Sequence, residues 1–328
     1  MSERYLVTGC AGFIASGVCR RLLEAGHEVF GIDTLNDAYD PRLKHWRLKQ
    51  LEGRAGFTFA PIDITDRVAL AGVFAGDRPF GGVLNLAARA GVRQSVANPW
   101  VYQSTNVEGT LNLLDLCQQH GTKRFILAST SSLYGGHNTV PFSEDADVTR
   151  PLSPYSASKL AAEALAYTYY HLFGLHVTSL RFFTVYGPAG RPDMSMFRFV
   201  RNISEGDPIV VFGDGSQERD FTYVDDIARG VCAALKLEGH HTINLGSDRP
   251  AKLRTMIDTI SRMVGREAKI DYRPMHPADV PATWADITRA RTELDWAPQM
   301  SFEDGLKAAV EWYQAQRSWA KDLSLGDV

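Results

Sequence analysis

Tyr5-Leu6-Val7-Thr8-Gly9-Cys10-Ala11-Gly12-Phe13-Ile14-Ala15 sets a glycine-rich turn between a strand-forming run and the start of a helical stretch. A phosphate cradle needs that context. Gly9 permits the tight turn, Gly12 lets backbone approach a pyrophosphate, and Ala15 is small enough for helix and strand to pack closely. The spacing is G-x-x-G-x-x-A, not G-x-G-x-x-G, so taken alone it also fits an ordinary turn.

Asp33 follows the next apolar run, residues 29–32, where a carboxylate can accept hydrogen bonds from both adenosine ribose hydroxyls. A 2′-phosphate would meet a like charge there, which favours NAD over NADP, with Arg42 or Lys44 as the cations able to offset that charge. Asp63-Ile64 and Leu86-Ala87-Ala88 fall at further strand ends, the edge on which open α/β sheets bind ligands.

Working outward, residues 5–8, 29–32, 57–62, 83–86, 125–129 and 177–182 read as strands. Helical stretches at 12–25, 100–120 and 156–173 separate them, closed by Gly26, Gly121 and Gly174. Repeated β-α-β predicts an α/β fold of the Rossmann type, a doubly wound, mostly parallel sheet covered on both faces. Beyond Arg181 the loops become rich in Gly and Pro, as in Tyr186-Gly187-Pro188-Ala189-Gly190-Arg191-Pro192, and predict a substrate-covering region. The expected division is a cofactor domain over 1–181, rejoined by about 222–247, with 182–221 and 248–328 forming a smaller C-terminal α/β substrate domain. Residues 323–328 are expected to fray.

Composition narrows the partners. With 35 basic and 38 acidic residues and no block of either sign, nothing points to nucleic acid or an anionic membrane. Cys10, Cys19, Cys117 and Cys232 form no C-x-x-C pair, which fits a reducing cytoplasm and no zinc site. No secretion leader or apolar run of membrane-spanning length is visible. The nine histidines show no H-E-x-x-H and there is no G-x-S-x-G, so neither metal hydrolysis nor serine-nucleophile chemistry is expected.

Tyr155 and Lys159 stand four apart at the start of a helix and so share one face. A phenol with a pKa of about 10 is a poor base at neutral pH, but a neighbouring ammonium and an oxidised nicotinamide both stabilise phenolate. A tyrosine–lysine pair is common on exposed helices. The preceding strand, however, ends in Ser129-Thr130-Ser131-Ser132, where either Thr130 or Ser132 qualifies as a third hydrogen-bonding member.

These features together resemble the extended short-chain dehydrogenase/reductases that act on nucleotide sugars, and within them the UDP-glucuronate 4-epimerases. The resemblance runs from Arg4 to Trp312 and rests on Gly31-Ile32-Asp33-Thr34-Leu35-Asn36-Asp37-Ala38-Tyr39-Asp40, Ala87-Ala88-Arg89-Ala90-Gly91-Val92-Arg93, Leu180-Arg181-Phe182-Phe183-Thr184 and Arg219-Asp220-Phe221-Thr222-Tyr223. Gly190-Arg191-Pro192-Asp193-Met194 and Asp279-Val280-Pro281-Ala282-Thr283 also match, whereas Ala15, His276 and Trp284 depart from the pattern.

The resemblance implies that Tyr155, as phenolate, takes the proton of a sugar 4-hydroxyl while tightly held NAD accepts hydride from C4. Lys159 would hold the nicotinamide ribose, and Thr130 and Ser132 the oxygen being oxidised. The 4-keto sugar then turns over and hydride returns, regenerating NAD. Beside Gly9, Gly12 and Asp33, the implied cofactor residues are Phe13, Ile14, Asn36, Asp63, Ile64, Leu86, Ala87, Ala88, Ala90, Asn106 and Phe182. For the UDP-sugar they are Arg93, Ser131, Ser132, Thr184, Arg191, Val211, Phe212, Arg219 and Asp279.

The family's 4,6-dehydratases place Asp-Glu after the catalytic threonine, but Ser131-Ser132 stand here, so elimination is not expected. Oxidising C4 of a glucuronate makes a β-keto acid prone to lose carbon dioxide. Charge-assisted hydrogen bonds to its carboxylate stabilise the ground state more than the decarboxylation transition state. Arg191, Thr184 and the Ser131–Ser132 region are the expected grip, although a solvated arginine and a strand-end hydroxyl are the plainer readings of the first two. UDP-glucuronate to UDP-galacturonate is thus the first expectation. UDP-glucose 4-epimerase, UDP-glucuronate decarboxylase and a non-catalytic NAD-binding regulator are the rivals. A homodimer through 100–120 and 156–173 is implied by the resemblance, though those helices would also suit one chain's interior.

Overall fold

Leu6 and Val7, fully buried, belong to strand β1 (Arg4–Thr8), which lies inside a seven-stranded sheet in a computed structural model describing residues 2–76, 78–275 and 280–326. Its other strands are β2 (Glu28–Ile32), β3 (Phe57–Ala60), β4 (Gly82–Asn85), β5 (Arg124–Thr130), β6 (His176–Phe182) and, after an excursion, β11 (His240–Leu245). The order is β11-β6-β5-β4-β1-β2-β3 and every neighbouring pair is parallel. Strands covered on both faces need apolar residues on both, which is why these segments read as continuous runs. From β1 the chain winds to one side through β2 and β3, then returns to β4 on the other. The crevice at the carboxyl ends of β1 and β4 is therefore the switch point of the sheet.

On one face α1 (Phe13–Glu24) packs against α9 (Val224–Ala234), and α11 (Thr288–Leu294) completes the layer. The other face carries α3 (Arg67–Phe74), α6 (Gly109–Gln119) and α7 (Pro154–Phe173). The helix expected over 100–120 is interrupted. It consists of α5 (Trp100–Tyr102), a π-helical turn (Gln103–Glu108) and then α6. Short helices α2 (Pro41–Lys49) and α4 (Val92–Ala97) follow β2 and β4.

A second core gathers α8 (Ser195–Glu205), α10 (Leu253–Val264) and α12 (Phe302–Ala320) with Leu43 of α2. Small ladders border it: β7 (Thr184–Tyr186) with β10 (Phe221–Tyr223), β8 (Ile209–Phe212) with β13 (Ile270–Arg273), and β9 (Glu218–Arg219) with β12 (Ala251–Lys252). The expected fraying of 323–328 is corrected over its described part. Leu323 is buried in this core, Ser324 N donates to Asp40 Oδ2 at 2.8 Å, and Arg198 Nη2 donates to Leu325 O at 2.5 Å. Leu323 gains an apolar seat, and the Asp40 carboxylate that caps α2 through Oδ1 shares Oδ2 between Arg42 and the tail. All four cysteines are free, and among the described residues no helix is long and apolar enough to cross a membrane.

Candidate active site

The glycine turn is held open by geometry that only glycine permits. Gly9 has φ +67°, and a Cβ there would lie 2.9 Å from the Ala87 backbone; one on Gly12 would lie 2.8 Å from Gly9 O. Helix α1 then starts with no side-chain cap and no acid in its first turn, so the N–H groups around Phe13 and Ile14 remain for an anion. Asp33 Oδ2 accepts from Ala11 N at 3.2 Å and Oδ1 from Leu35 N at 2.8 Å, so this carboxylate braces the turn. These residues fit a dinucleotide.

Lys44 is buried, with Nζ 2.8 Å from Asn36 Oδ1 and 3.8 Å from Asp33 Oδ1. Burial pushes its amine below the usual lysine range while Asp33 pulls it back. Arg42 instead pairs with Asp40 and with the Asp322 carbonyl of the tail. Sequence reasoning missed Arg47. Its buried guanidinium donates to Ala11 O at 3.2 Å, Tyr39 Oη at 2.7 Å and Ala189 O at 2.7 Å, joining the glycine turn to the loop after β7. The available signal was its position four residues after Leu43, which brings both onto the inner face of α2.

At the end of β4, Thr8 Oγ1 accepts the N–H groups of Leu86 and Ala87 at 3.1 and 3.0 Å and presents Leu86-Ala87-Ala88 to the crevice. Ala90 accepts from Tyr102 Oη at 3.4 Å. The π-helical turn brings Asn106 inward, where its amide is occupied by Arg89 N, Arg89 O and Ser158 Oγ at 2.9, 3.0 and 2.9 Å. Asn106 therefore braces the backbone of Arg89 in the segment after β4. Asp63 is exposed and bonded to Thr65, Ile64 is buried against Gly109, and Phe182 is buried at the end of β6.

Ser153 caps α7, accepting from Ser156 N at 3.2 Å, and Pro154 opens the helix, which puts Tyr155 in its first turn. The end of β5 sets Thr130 beside the start of α7, and its hydroxyl acts on the Tyr155 phenol. Burial raises the phenol's pKa, while Thr130 and the charge of Arg191 lower it. Thr130 Oγ1 also accepts from Ser132 N at 3.1 Å. Of the two hydroxyls left open by the sequence, Thr130 is the one that lowers the Tyr155 pKa, and the Ser132 backbone braces it. Lys159 donates to Ala128 O at 2.8 Å from a buried position; burial pushes its pKa down to about 8, with Glu163 opposing.

Arg191 is not a solvated loop arginine. Its Nε and Nη2 grip Asp193 at 3.0 and 2.5 Å, its guanidinium lies 5.6 Å from the Tyr39 ring, and its charge reaches Tyr155. Asp193 went unread because an acid two residues on names no partner until the loop is folded. Thr184 opens β7, half-buried, and Ser131 and Ser132 start the 3₁₀ turn (Ser131–Tyr134) above β5.

Arg93 lies 4.0 Å from the centroid of the Phe212 ring. Val211 has its side chain buried in the second core, since alternation along β8 turns it away from the face Phe212 presents, which leaves only its backbone for a ligand. Phe197 is likewise core. Arg219 Nη1 donates to Glu218 O at 2.8 Å, and Trp284 Nε1 to Asp248 Oδ1 at 3.2 Å. Asp279 and His276 lie outside the described residues. Among the described residues no group of three or more His, Cys, Asp or Glu is arranged to hold a metal ion.

A family model described as GDP-mannose 4,6 dehydratase matches residues 6–309. A UDP-glucuronate 4-epimerase of Thermodesulfobacterium geofontis is 53% identical, over 98% of this chain and 99% of its own. The chain belongs to the UDP-glucuronate 4-epimerases, within the extended short-chain dehydrogenase/reductase family. A probable UDP-glucuronate 4-epimerase of Rhizobium meliloti is 38% identical over 94% of this chain and 96% of its own. The solved UDP-glucuronic acid 4-epimerase of Bacillus cereus, in complex with UDP-glucuronic acid and NAD, superposes with a TM-score of 0.89 at 36% identity, covering 95% of this chain and 99% of the other. Membership in the epimerases, against the dehydratase description of the broader model, agrees with Ser131-Ser132 standing after Thr130.

Proposed function

We propose that this chain catalyses the NAD-dependent C4 epimerisation of UDP-glucuronate to UDP-galacturonate through a transient 4-keto sugar. The observation that carries the reading is Tyr155 in the first turn of the Ser153-capped helix α7, with Lys159 one turn on bonded to Ala128 O of β5 and Thr130 at the end of that strand. Tyr155 takes the 4-hydroxyl proton and returns it, Thr130 orients that oxygen, and Lys159 favours the phenolate. NAD, when bound, supplies the hydride acceptor for C4 and the donor on return, and is regenerated in each turnover.

Arg191 is already oriented by Asp193, so it meets a sugar carboxylate at little ordering cost, with Thr184 and Ser131–Ser132 as further donors. In this reading residues 1–181 and about 222–247 carry the cofactor, and residues 182–221 and 248–328 carry the sugar nucleotide. Arg93 with Phe212, and Arg219, would then serve the UDP moiety. The cytoplasm suits four free cysteines.

Incubation with UDP-glucuronate, followed by anion-exchange analysis and carbon dioxide trapping, tests the function. UDP-galacturonate without carbon dioxide is expected. Carbon dioxide and a UDP-pentose would make the chain a decarboxylase, and turnover of UDP-glucose alone would make it a hexose epimerase. Arg191→Met is expected to lower kcat/KM about 10- to 100-fold, the worth of a charge-assisted bond, and to raise the carbon dioxide share while NAD stays bound. Unchanged kinetics remove Arg191 from the site.

The same reading includes a homodimer. Trp100 and Tyr167, 79% and 50% exposed on α5 and α7, leave apolar surface open beside Leu111 of α6. Trp100→Glu is expected to halve the mass seen by sedimentation; a wild-type monomer would refute the dimer.

A further inference from the structure

Under the acid–base pair lies a buried charge that the chemistry above leaves idle. Glu163 follows Lys159 by one turn and Tyr155 by two along α7, and it is 9% exposed. Its carboxylate accepts Arg181 Nε and Nη2 at 3.1 and 2.8 Å and Ser129 Oγ at 2.5 Å. Ser129 immediately precedes Thr130 on β5, and Arg181 immediately precedes Phe182 on β6. The third guanidinium nitrogen donates to Tyr134 Oη at 3.1 Å and Glu144 O at 3.2 Å, and Tyr134 Oη donates to Asn244 Oδ1 of β11 at 2.5 Å. One carboxylate therefore ties the helix bearing Tyr155 and Lys159 to the strand ends bearing Thr130 and Phe182.

A carboxylate and guanidinium this deep add little stability over well-packed apolar residues, so their worth lies in what they position. Granting the epimerase function proposed above, we infer that Glu163 is a positioning residue: clamped by Arg181 and Ser129, it holds Tyr155, Lys159 and Thr130 in one register and presents Lys159 with a fixed negative charge. Burial pushes the Lys159 amine down, and Glu163 is the charge that opposes it. The other charged and titratable groups around this pair are Arg181 from β6, Tyr134 and Glu144 beside it, and His240 from β11, on which Glu163 also acts. Tyr155 faces Arg191 from the loop after β7.

Loss of the Glu163 charge leaves the Lys159 ammonium easier to deprotonate. Less of it then remains to stabilise phenolate, so the Tyr155 proton is harder to remove. The test uses full-length NAD-loaded Glu163→Gln, which keeps an acceptor for Ser129 and Arg181, and the double variant Glu163→Gln/Arg181→Met, which removes the guanidinium that the single variant leaves without its carboxylate. Two readouts are taken: the pH profile of kcat on UDP-glucuronate, and the phenolate titration at 295 nm as the difference between each variant and its Tyr155→Phe counterpart.

In both variants the alkaline limb of kcat is expected to move down, and the phenolate midpoint up, by about 1 pH unit, with kcat at pH 7 reduced about tenfold. A kcat lowered by one factor at every pH, with the phenolate midpoint unmoved, would overturn the inference. Unfolding of both variants would also overturn it, since the pair would then serve stability. The titration needs no sugar. It decides the role of Glu163 even if wild-type protein fails to convert UDP-glucuronate, a result that would fall on the proposed function instead.

Discussion

Tyr155→Phe is expected to lower kcat on UDP-glucuronate by about 10³-fold or more, the upper range of what a positioned general base contributes, while leaving fold and NAD content intact. The substitution removes one oxygen from a helix whose Ser153 cap, Pro154 start and Gly174 end are unaffected. Thr130 keeps its bond from Ser132 N, so the end of β5 has no reason to move. What is lost is the only step at which the 4-hydroxyl proton has somewhere to go. Burial works against the phenolate here, and the Thr130 hydroxyl and Arg191 charge work for it. Circular dichroism, thermal melting and NAD absorbance should match wild type. Activity within tenfold of wild type would defeat the assignment of Tyr155.

Features that were legible in the sequence are those whose chemistry is written in short-range spacing. The Gly9–Gly12 turn, Asp33 after β2 and the Tyr155–Lys159 pair each depend on residues within one strand–turn–helix unit or one helical turn, so the pattern alone puts them together. Arg47, Asp193 and Glu163 were illegible for the opposite reason. Arg47 reaches Ala189 and Glu163 reaches Arg181 only after tertiary packing, and a lone Arg or Glu on a helix reads as an exposed face. The π-helical turn escaped notice because one extra residue scarcely alters the apolar texture of 100–120, although it is what carries Asn106 inward to Arg89. The burial of the Val211 side chain was hidden because a loop-rich region masks the alternation of β8, and the order of the tail because small polar residues near a terminus say nothing of Leu323 and its apolar seat.

Lys159→Met carries the second large effect, and its sign can be worked out from burial. The folded-state amine lies at about 8, below its ordinary 10.5, because desolvation disfavours the ammonium more than Glu163 supports it. With that amine above pH 7 the charged form still predominates at neutral pH, and that charge favours phenolate at Tyr155. Methionine occupies similar volume without it. The acid limb of kcat is then expected to move up by about 1–2 pH units and kcat at pH 7 to fall about 10²-fold. The deficit should narrow above pH 8, where wild type also loses its ammonium. Stability should respond in the opposite sense. A lysine whose pKa is lowered by folding binds its proton more readily when unfolded, so its contribution to wild-type stability rises as pH climbs from about 8 toward the unfolded value. The methionine variant lacks that rise and is spared the cost of a buried ammonium below it. Its melting temperature near pH 6 should therefore equal or exceed that of wild type, even as its activity is lowest there. A variant that melts well below wild type at pH 6 would show that the Ala128 hydrogen bond outweighs the desolvation of the charge, and that Lys159 serves the fold as much as the reaction.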